Sequence, residues 1–330
     1  MLFTRKLGTQ GLEVSSVGLG CWEFTGRAYG PADEAESVKI LHRSVELGVN
    51  FFDTAEAYGP FTNEEFLGRE LKPYPRHKLV IATKFGMSFE AGRVVGTDSR
   101  PAHIREVVDD SLHRLQTDYI DLLYQHRVDF NVPIEDTAGA VADLIAQGKV
   151  RFFGLSEAGD ATISRAHAVQ PVSALQSEYS LFERNLEPRI IPTLHELGIG
   201  LVPFAPLGRG FLSGEVKRAE EYPETDWRHD DPRFQGENFD ANMSTLRMVR
   251  ELARAKNATA SQIALAWLLH TGADIVPIPG TTKLRHLEEN IAAADITLTP
   301  DELRALDAAF EPGSISGPRY NEARMRLVDR

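Results

Sequence analysis

The feature that most constrains this fold is a glycine that repeatedly separates a helix-like stretch from an apolar, strand-like run. The segments are "VELGVNFFDT", "IAQGKVRFFGLS" and "HELGIGLVPFAP", with the glycine at Gly48, Gly148 and Gly198. Glycine just past a helix end readily adopts the left-handed conformation that closes the helix. The apolar runs that follow are nearly continuous, as expected for parallel strands buried on both faces. This repeated unit therefore predicts alternating helices and parallel strands.

Eight strand candidates follow one another along the chain. They lie near residues 16, 50, 79, 119, 150, 173, 199 and 275. Every gap but the last has about the length of one βα unit, and eight such units predict a (β/α)8 barrel, also called a TIM barrel. No boundary is visible, so residues 1–330 are predicted to form a single domain. Residues 1–15 are expected to form a leading β-hairpin that plugs the bottom of the barrel, and residues 311–330 a C-terminal tail.

Two segments after strands are longer than typical connections. Residues 85–100 follow the third strand, and residues 207–239 follow the seventh. Barrel enzymes build their active sites from the loops after the strands, and long loops there favour lids or ligand clamps over plain linkers. Substrate choice is therefore predicted to depend on these segments, together with residues 22–30 and the tail.

Composition argues against several classes of partner. The 330 residues are 42% hydrophobic and carry a formal net charge of -12, with a pI near 5.4. Such acidity disfavours broad binding to nucleic acids or anionic membranes, although it is compatible with a small basic pocket for one phosphorylated ligand. The single cysteine, Cys21, excludes an intramolecular disulfide. No signal peptide and no apolar run of about 20 residues is present. We expect a cytoplasmic protein without nucleic-acid or membrane partners; an oligomer is compatible with the sequence.

Several motifs for other chemistries are absent from the sequence. It contains no His-x-His, His-Glu-x-x-His or clustered-cysteine pattern, so no metal site is predicted. It also contains no Walker loop, no Gly-x-Ser-x-Gly elbow and no complete Rossmann fingerprint. A nucleotide cofactor would therefore have to bind at the rim of the barrel.

Four ionisable residues are predicted to meet where three consecutive strands end. Asp53 ends the second strand, and Tyr58 lies in the loop after it. Lys84 ends the third strand and His126 the fourth. Each residue alone is better explained as a cap, a packing residue or a solvated charge, but their common position favours a catalytic site.

These four residue types suit one chemical task. A buried carboxylate needs a partner, so Asp53 is expected to pair with Lys84. The ammonium is expected to lower the pKa of Tyr58 from its reference value of about 10. His126 would orient a substrate oxygen. The set therefore predicts protonation of an oxygen on which negative charge develops.

The sequence around these residues resembles the aldo-keto reductases. The motifs "FFDTAEAYG", "ATKFG" and "LLYQH" are similar to the Asp, Tyr, Lys and His motifs of that family, and "RKLGTQGLEVSSVGLG", "GKVRFFGLSE", "ALQSEYSLFER", "FAPLGRGFLSG" and "IPGTTKLRHLEEN" extend the resemblance along nearly the whole chain. It implies a (β/α)8 barrel and reduction of small aldehydes or ketones by NADP(H). Within the family, "GLSE" and "HLEEN" resemble the branch of auxin-induced-type and perakine-reductase-like proteins.

The resemblance also implies a role for each site residue. Tyr58 would be the general acid, supported by Lys84 and Asp53, and His126 would position the carbonyl. Residues expected to contact the cofactor are Gly20, Trp22, Ser156, Gln176, Tyr179, Pro206, Leu207, Gly208, Arg209, Gly280, Thr281, Thr282, Lys283, His286, Glu289 and Asn290.

Within this set, different residues would hold different parts of NADP(H). Ser156 and Gln176 would hold the nicotinamide carboxamide, and Tyr179 would stack on the ring. Residues 207–209 would cover the pyrophosphate, and Lys283 would meet the 2′-phosphate.

Two positions depart from the family pattern. Glu157 stands where many members have Asn. His286, with Arg285 beside it, stands where many members have the Arg that packs on adenine. Two alternatives to a reductase remain open at this point. One is a redox-reading regulatory subunit that retains the site, as in the potassium-channel β subunits, and the other is a barrel isomerase or lyase that uses no nicotinamide.

Overall fold

The computed structural model describes residues 2–25 and 29–329 and contains a parallel barrel. Seven of its strands are hydrogen-bonded in the order β3, β4, β5, β8, β9, β10, β11. Their bounds are β3 (Leu19–Gly20), β4 (Phe51–Asp53), β5 (Val80–Phe85), β8 (Ile120–Gln125), β9 (Val150–Ser156), β10 (Val172–Glu178) and β11 (Gly200–Phe204). The predicted positions of these strands are confirmed.

The eighth strand candidate closes the barrel without forming a regular strand. Val276 N donates to Leu201 O (2.9 Å) and Ile278 N to Pro203 O (3.1 Å) on β11. On its other side, Gly18 N donates to Pro277 O (3.0 Å). Proline has no N–H to return such a bond, so the pairing with β3 is reduced to an isolated parallel bridge between Gly20 and Gly280. The alternating prolines of "VPIPG" explain why this segment is irregular.

Helices separate the strands and surround the barrel. Their bounds are α1 (Glu34–Glu46), α2 (Thr62–Leu71), α3 (Pro101–Leu115), α4 (Ile134–Ala146), α5 (Asp160–Val169), α6 (Ile190–Leu197), α7 (Gly236–Ala255), α8 (Ala260–Thr271), α9 (Leu284–Ala292), α10 (Pro300–Ala309) and α11 (Glu322–Met325). Both α7 and α8 lie between β11 and the eighth segment, which accounts for the long final gap in the sequence pattern.

The leading hairpin plugs one end of the barrel. Its strands β1 (Thr4–Leu7) and β2 (Leu12–Ser15) pair antiparallel. Leu7, Leu12 and Val14 are buried in one cluster with side chains from the barrel interior, including Tyr124 and Val202. This confirms the predicted hairpin, and its position leaves the other end of the barrel for the long loops.

The segments that follow strands at that other end have their own structure. Residues 85–100 contain a hairpin, β6 (Met87–Glu90) and β7 (Arg93–Thr97). Residues 207–239 form short 3-10 turns and enter α7 at Gly236, three residues before the predicted end of this loop. Of the predicted loop 22–30, residues 26–28 lie outside the described residues.

Candidate active site

Lys84 is the centre of a hydrogen-bonded group at the carboxyl ends of β4 and β5. Its ammonium nitrogen Nζ donates to Asp53 Oδ1 at 2.5 Å, to Thr54 O at 2.7 Å and to Tyr58 Oη at 3.0 Å. The second oxygen of Asp53 accepts from Gln176 Nε2 at 2.7 Å. Both members of the ion pair are about 1% exposed. A buried pair is stable only when its remaining hydrogen-bonding capacity is used, and the threonine carbonyl and the glutamine amide use it here.

The loop after β4 places Tyr58 above this ion pair. Gly59 follows it with a φ of +99°, a conformation that favours glycine, and a Cβ there would lie 1.9 Å from Thr62 Oγ1. The Tyr58 ring stacks with Trp22 (centroids 5.9 Å apart) and meets His126 edge-on at 5.8 Å. The structure therefore brings together the four predicted catalytic residues.

Burial decides the direction of the pKa shift of Tyr58 and His126, whereas neighbouring charges decide that of Lys84. Burial raises the pKa of Tyr58 above 10.0, and the opposing attraction of Lys84 for the phenolate is too weak to offset it. Lys84 acts on the pKa of Tyr58 in the expected direction, but the net shift is upward because burial outweighs it. Burial lowers the pKa of Lys84, but Asp53 and Tyr58 raise it above 10.5 overall. Burial, with repulsion from Lys84 and Arg127, lowers the pKa of His126 well below 6.5. At pH 7 the site thus holds a neutral phenol, an ammonium and a neutral imidazole.

A cavity of about 800 Å³ opens above this group. Tyr58 and His126 line it, whereas Lys84 lies beneath Tyr58. The predicted cofactor residues that line it are Gly20, Trp22, Ser156, Gln176, Pro206, Leu207, Arg209, Gly280, Thr281, Thr282, Lys283, His286, Glu289 and Asn290.

Tyr179 and Gly208 do not line the cavity. The Tyr179 ring is 2% exposed and packs against Trp267 (centroids 5.5 Å apart), and its hydroxyl donates to Glu187 at 2.9 Å. Its predicted stacking on nicotinamide is therefore wrong in this structure. Phe204, which ends β11, lines the cavity instead.

The predicted pyrophosphate contacts at residues 207–209 fit the structure only in part. Leu207 lines the cavity, whereas Gly208 lies against the Phe182 ring. Arg209 lines the cavity, but its guanidinium is bonded to Glu178 (2.5 Å) and to Asp231. Two carboxylates already offset this charge, so Arg209 does not offer an unpaired cation to a phosphate.

Glu157 belongs to the same buried charge network. Its carboxylate accepts from Arg319 at 2.7 Å, and Arg319 also donates to Glu178 at 2.7 Å. Burial alone would raise the pKa of Glu178, but Arg209 and Arg319 lower it to about 2. Glu157 has a φ of +55°, a conformation in which Asn is several-fold enriched. In this chain the residue holds the C-terminal tail rather than lining the cavity.

Cations gather where α9 begins at another side of the cavity. Arg285 pairs with Glu289 at 2.9 Å and also contacts His286 Nε2 at 3.1 Å. Burial, with repulsion from Lys283 and Arg285, lowers the pKa of His286 below 6.5. Within residues 29–329, Lys283 has no carboxylate partner, so its ammonium is the uncompensated charge at this end.

Sequence reasoning missed several residues that line the cavity. Among them are Glu23, Tyr29, Arg127, Phe204 and Arg324. Glu23, Tyr29 and Arg324 lie in segments that the sequence connected with substrate choice, but it did not single out these residues. Arg127 follows His126 directly and Phe204 ends a strand, so their position at strand ends was a usable signal. Arg324 lies in the tail, and no local pattern connects it to the barrel.

The described part of the chain contains neither a metal-binding cluster of side chains nor a membrane-spanning helix. No group of three or more His, Cys, Asp or Glu residues there is arranged to hold a metal ion. In residues 2–25 and 29–329, no helix combines the length and apolar character needed to cross a membrane.

Comparison with known proteins identifies the family. The model of the aldo/keto reductase family matches residues 16–311. The chain belongs to the aldo/keto reductase family. This confirms the family resemblance, and membership makes the chain an oxidoreductase that acts on small carbonyl compounds. Members of this family generally bind nicotinamide cofactors.

Individual aldo/keto reductases are similar over nearly the whole chain. A soybean (Glycine max) protein described as probable aldo-keto reductase 1 is 44% identical over 315 residues, covering 96% of this chain and 91% of that protein. The structure of a glycerol dehydrogenase from Gluconobacter oxydans superposes with a TM-score of 0.86 at 30% identity, covering 96% and 97% of the two chains. The structure of a thermostable aldo-keto reductase in complex with the inhibitor epalrestat superposes with a TM-score of 0.77 at 28% identity, covering 93% of this chain and 99% of that chain.

Proposed function

We propose that this protein reduces aldehydes or ketones to alcohols with NADPH, and that Tyr58 donates the proton. The observation that carries the proposal is the 3.0 Å hydrogen bond from Lys84 Nζ to Tyr58 Oη at the floor of the cavity. When bound, the nicotinamide cofactor supplies the hydride.

The protein's own residues would control the proton. The raised pKa of Tyr58 keeps its hydroxyl protonated at neutral pH. As negative charge develops on a substrate oxygen, that hydroxyl can donate, and the Lys84 ammonium stabilises the phenolate that forms. The neutral His126 can donate an N–H to the same oxygen, which holds the carbonyl against Tyr58. Asp53 keeps Lys84 charged and in place.

The residues that line the cavity are suited to hold NADP(H). Ser156 and Gln176 offer a hydroxyl and an amide at the ends of β9 and β10, where a carboxamide could be held. Lys283, whose charge has no carboxylate partner among the described residues, would hold the 2′-phosphate. Phe204 replaces Tyr179 as the aromatic residue available to the nicotinamide ring. Arg209 would form part of the wall against the cofactor without attracting its phosphates, because Glu178 and Asp231 already neutralise its charge.

The first prediction concerns Tyr58→Phe, which removes the proton donor and keeps the ring. We expect it to lower kcat about 10²- to 10⁴-fold, while NADPH fluorescence titration shows little change in Kd. The measurement is NADPH oxidation against a panel of aldehydes, α-dicarbonyls and quinones, with NADPH and NADH titrated in parallel. Tyr119→Phe, which alters a partly buried tyrosine outside the cavity, is the matched control.

Three outcomes would count against the proposal. Equal turnover by wild type and Tyr58→Phe would remove Tyr58 as the acid. Tight NADPH binding without turnover of any carbonyl would favour the regulatory alternative. Failure to bind either cofactor would favour an isomerase or lyase.

A further inference from the structure

Two guanidinium groups in the cavity wall have no carboxylate partner among residues 2–25 and 29–329. Arg127 Nη1 donates to His126 O at 2.7 Å and to Ser156 Oγ at 3.2 Å. The guanidinium of Arg324 lies over the Trp227 ring, with its Cζ 3.8 Å from the ring centroid. Among the described residues, the one hydrogen bond of this guanidinium is a long one to Trp227 O at 3.5 Å. Both side chains are partly buried.

The other arginines of this wall are compensated. Arg209 pairs with Glu178 and Asp231, Arg228 pairs with Asp226 at 2.7 Å, and Arg285 pairs with Glu289. The cavity therefore neutralises three of its arginines internally and leaves two guanidinium groups unpaired, in addition to the ammonium of Lys283. A half-buried guanidinium without a counter-ion is costly, and a planar oxyanion is its best-matched partner.

Both unpaired arginines line the same cavity as the candidate acid. Arg127 follows His126 at the end of β8. Arg324 is connected to Tyr58 through aromatic rings, because Trp227 meets Trp22 edge-on at 5.0 Å and Trp22 stacks on Tyr58. These rings form an apolar wall between the acid and Arg324.

We propose that the preferred substrate is an aldehyde or ketone that carries an oxyanion, a carboxylate or a phosphate, on an apolar or aromatic spacer. This inference rests on the proposed function. The carbonyl lies against Tyr58 and His126, the spacer lies along Trp22 and Trp227, and the anion pairs with Arg127 or Arg324, according to its length. Lys283 at the start of α9 is left for the cofactor.

Glu23 is a carboxylate in the same cavity, but it does not cancel these charges. It lies against Gly280, where a Cβ would meet its Oε2 at 1.9 Å, and forms no ion pair with Arg127 or Arg324. Burial raises its pKa to about 7, so it is only partly ionised at neutral pH. Glu23 therefore does not neutralise Arg127 or Arg324.

The test compares two isosteric aldehydes, 4-carboxybenzaldehyde and 4-formylbenzamide, which differ in charge. Glyoxylate and glyceraldehyde 3-phosphate test a shorter spacer and a phosphate. We expect kcat/KM of wild type to be at least about tenfold higher for the carboxylate than for the amide, since a hydrogen bond to a charged group is worth at least that factor. The preference should shrink as salt is added.

Substitutions assign the preference to residues. Arg127→Gln and Arg324→Gln should each reduce the carboxylate-to-amide ratio, and Arg127→Lys or Arg324→Lys should restore part of it. Arg105→Gln, which removes an exposed arginine paired with Asp143 outside the cavity, should leave the ratio unchanged. An equal loss in Arg105→Gln would overturn the proposal, as would a wild type that prefers the amide or does not discriminate.

Calorimetry with unreactive terephthalate and terephthalamide separates this inference from the proposed function. Tighter binding of the dianion, lost in the two glutamine variants, would support the anion site even if no carbonyl were reduced. Efficient reduction of both aldehydes at equal kcat/KM would instead support the reductase and overturn the anion site.

Discussion

At the scale of single residues, burial outweighs neighbouring charge at the candidate acid. Tyr58 illustrates this, because the ammonium 3.0 Å away does not bring its pKa below the ordinary value. A tyrosine that keeps its proton at neutral pH is suited to donation in the reductive direction. Glu23 is the carboxylate in the cavity for which burial has the clearest consequence.

The second prediction concerns the effect of Glu23 on cofactor binding. Its pKa of about 7, raised by burial, means that it is mostly neutral at pH 6 and mostly ionised at pH 8. Ionisation places a negative charge in a cavity proposed to bind an anionic cofactor. The Kd for NADPH, followed by fluorescence titration, should therefore rise more steeply with pH in wild type than in Glu23→Gln.

The ratio of the two Kd values isolates the titration of Glu23, because the cofactor phosphate and His286 titrate in both wild type and Glu23→Gln. The two Kd values should agree near pH 6 and diverge by several-fold at pH 8, since each factor of ten corresponds to about 1.4 kcal/mol. Glu13→Gln changes an exposed carboxylate outside the cavity and controls for net charge. A constant ratio across this pH range would contradict the prediction.

At the scale of elements, one side chain of the leading hairpin adds three hydrogen bonds to its packing against the barrel. The guanidinium of Arg5 on β1 donates to Leu269 O (2.5 Å), Gly272 O (2.5 Å) and Ile275 O (2.6 Å). These carbonyls lie in the last turn of α8, just past its end and at the start of the eighth barrel segment. The last carbonyls of a helix have no hydrogen-bond donor within that helix. Arg5 supplies a donor to such a carbonyl at the end of α8, 264 residues further along the chain.

The third prediction is that Arg5→Met destabilises the fold. It keeps an apolar stem but leaves three carbonyls without their donor, in a site where Arg5 is only 8% exposed. We expect a loss of about 2–4 kcal/mol in the free energy of unfolding, measured with urea. Lys6→Met removes the next cation, whose side chain is 74% exposed, and should change stability by less than about 0.5 kcal/mol. Equal losses in both variants would show that the contacts of Arg5 contribute nothing specific.

At the scale of the whole molecule, the tail is part of the cavity wall. Tyr320, Arg324 and Leu327 line the cavity. Arg319 fixes this segment by ion pairs to Glu157 and Glu178, which lie just after β9 and at the end of β10. The chain end therefore completes a wall of the cavity at the mouth of the barrel.

The fourth prediction is that Arg319→Met both destabilises the protein and releases the tail. Removing one partner of a buried charge network leaves the carboxylates of Glu157 and Glu178 less compensated, at a cost of about 3–5 kcal/mol. Limited proteolysis should then cut after residue 310 faster than in wild type. Arg326→Met alters an exposed arginine of the same tail and should do neither. Unchanged proteolysis in Arg319→Met would show that other contacts hold the tail.

Acid should weaken the same network. The pKa of Glu178 is about 2 in the folded protein, because Arg209 and Arg319 outweigh the effect of burial, against an ordinary value of 4.5. A lowered pKa contributes stability that is present above pH 4.5 and is lost as the pH falls toward 2. Replacing Arg319 should reduce this contribution, so the difference in stability between wild type and Arg319→Met should narrow across that range.

By itself, the sequence determined the barrel, the leading hairpin, the family and the placing of Asp53, Tyr58, Lys84 and His126 at one end of the strands. These follow from local patterns, because a glycine closes a helix within a few residues and a strand fixes where its last side chain lies. Only the tertiary structure decided that Tyr179 turns into the protein while Phe204 faces the cavity. The balance of burial against charge at Tyr58, the compensation of Arg209 and the arrival of Arg319 and Arg324 from the tail were likewise outside the reach of local pattern. Their physical reason is common: burial and ion pairing depend on groups from distant parts of the chain, which meet only when the barrel closes.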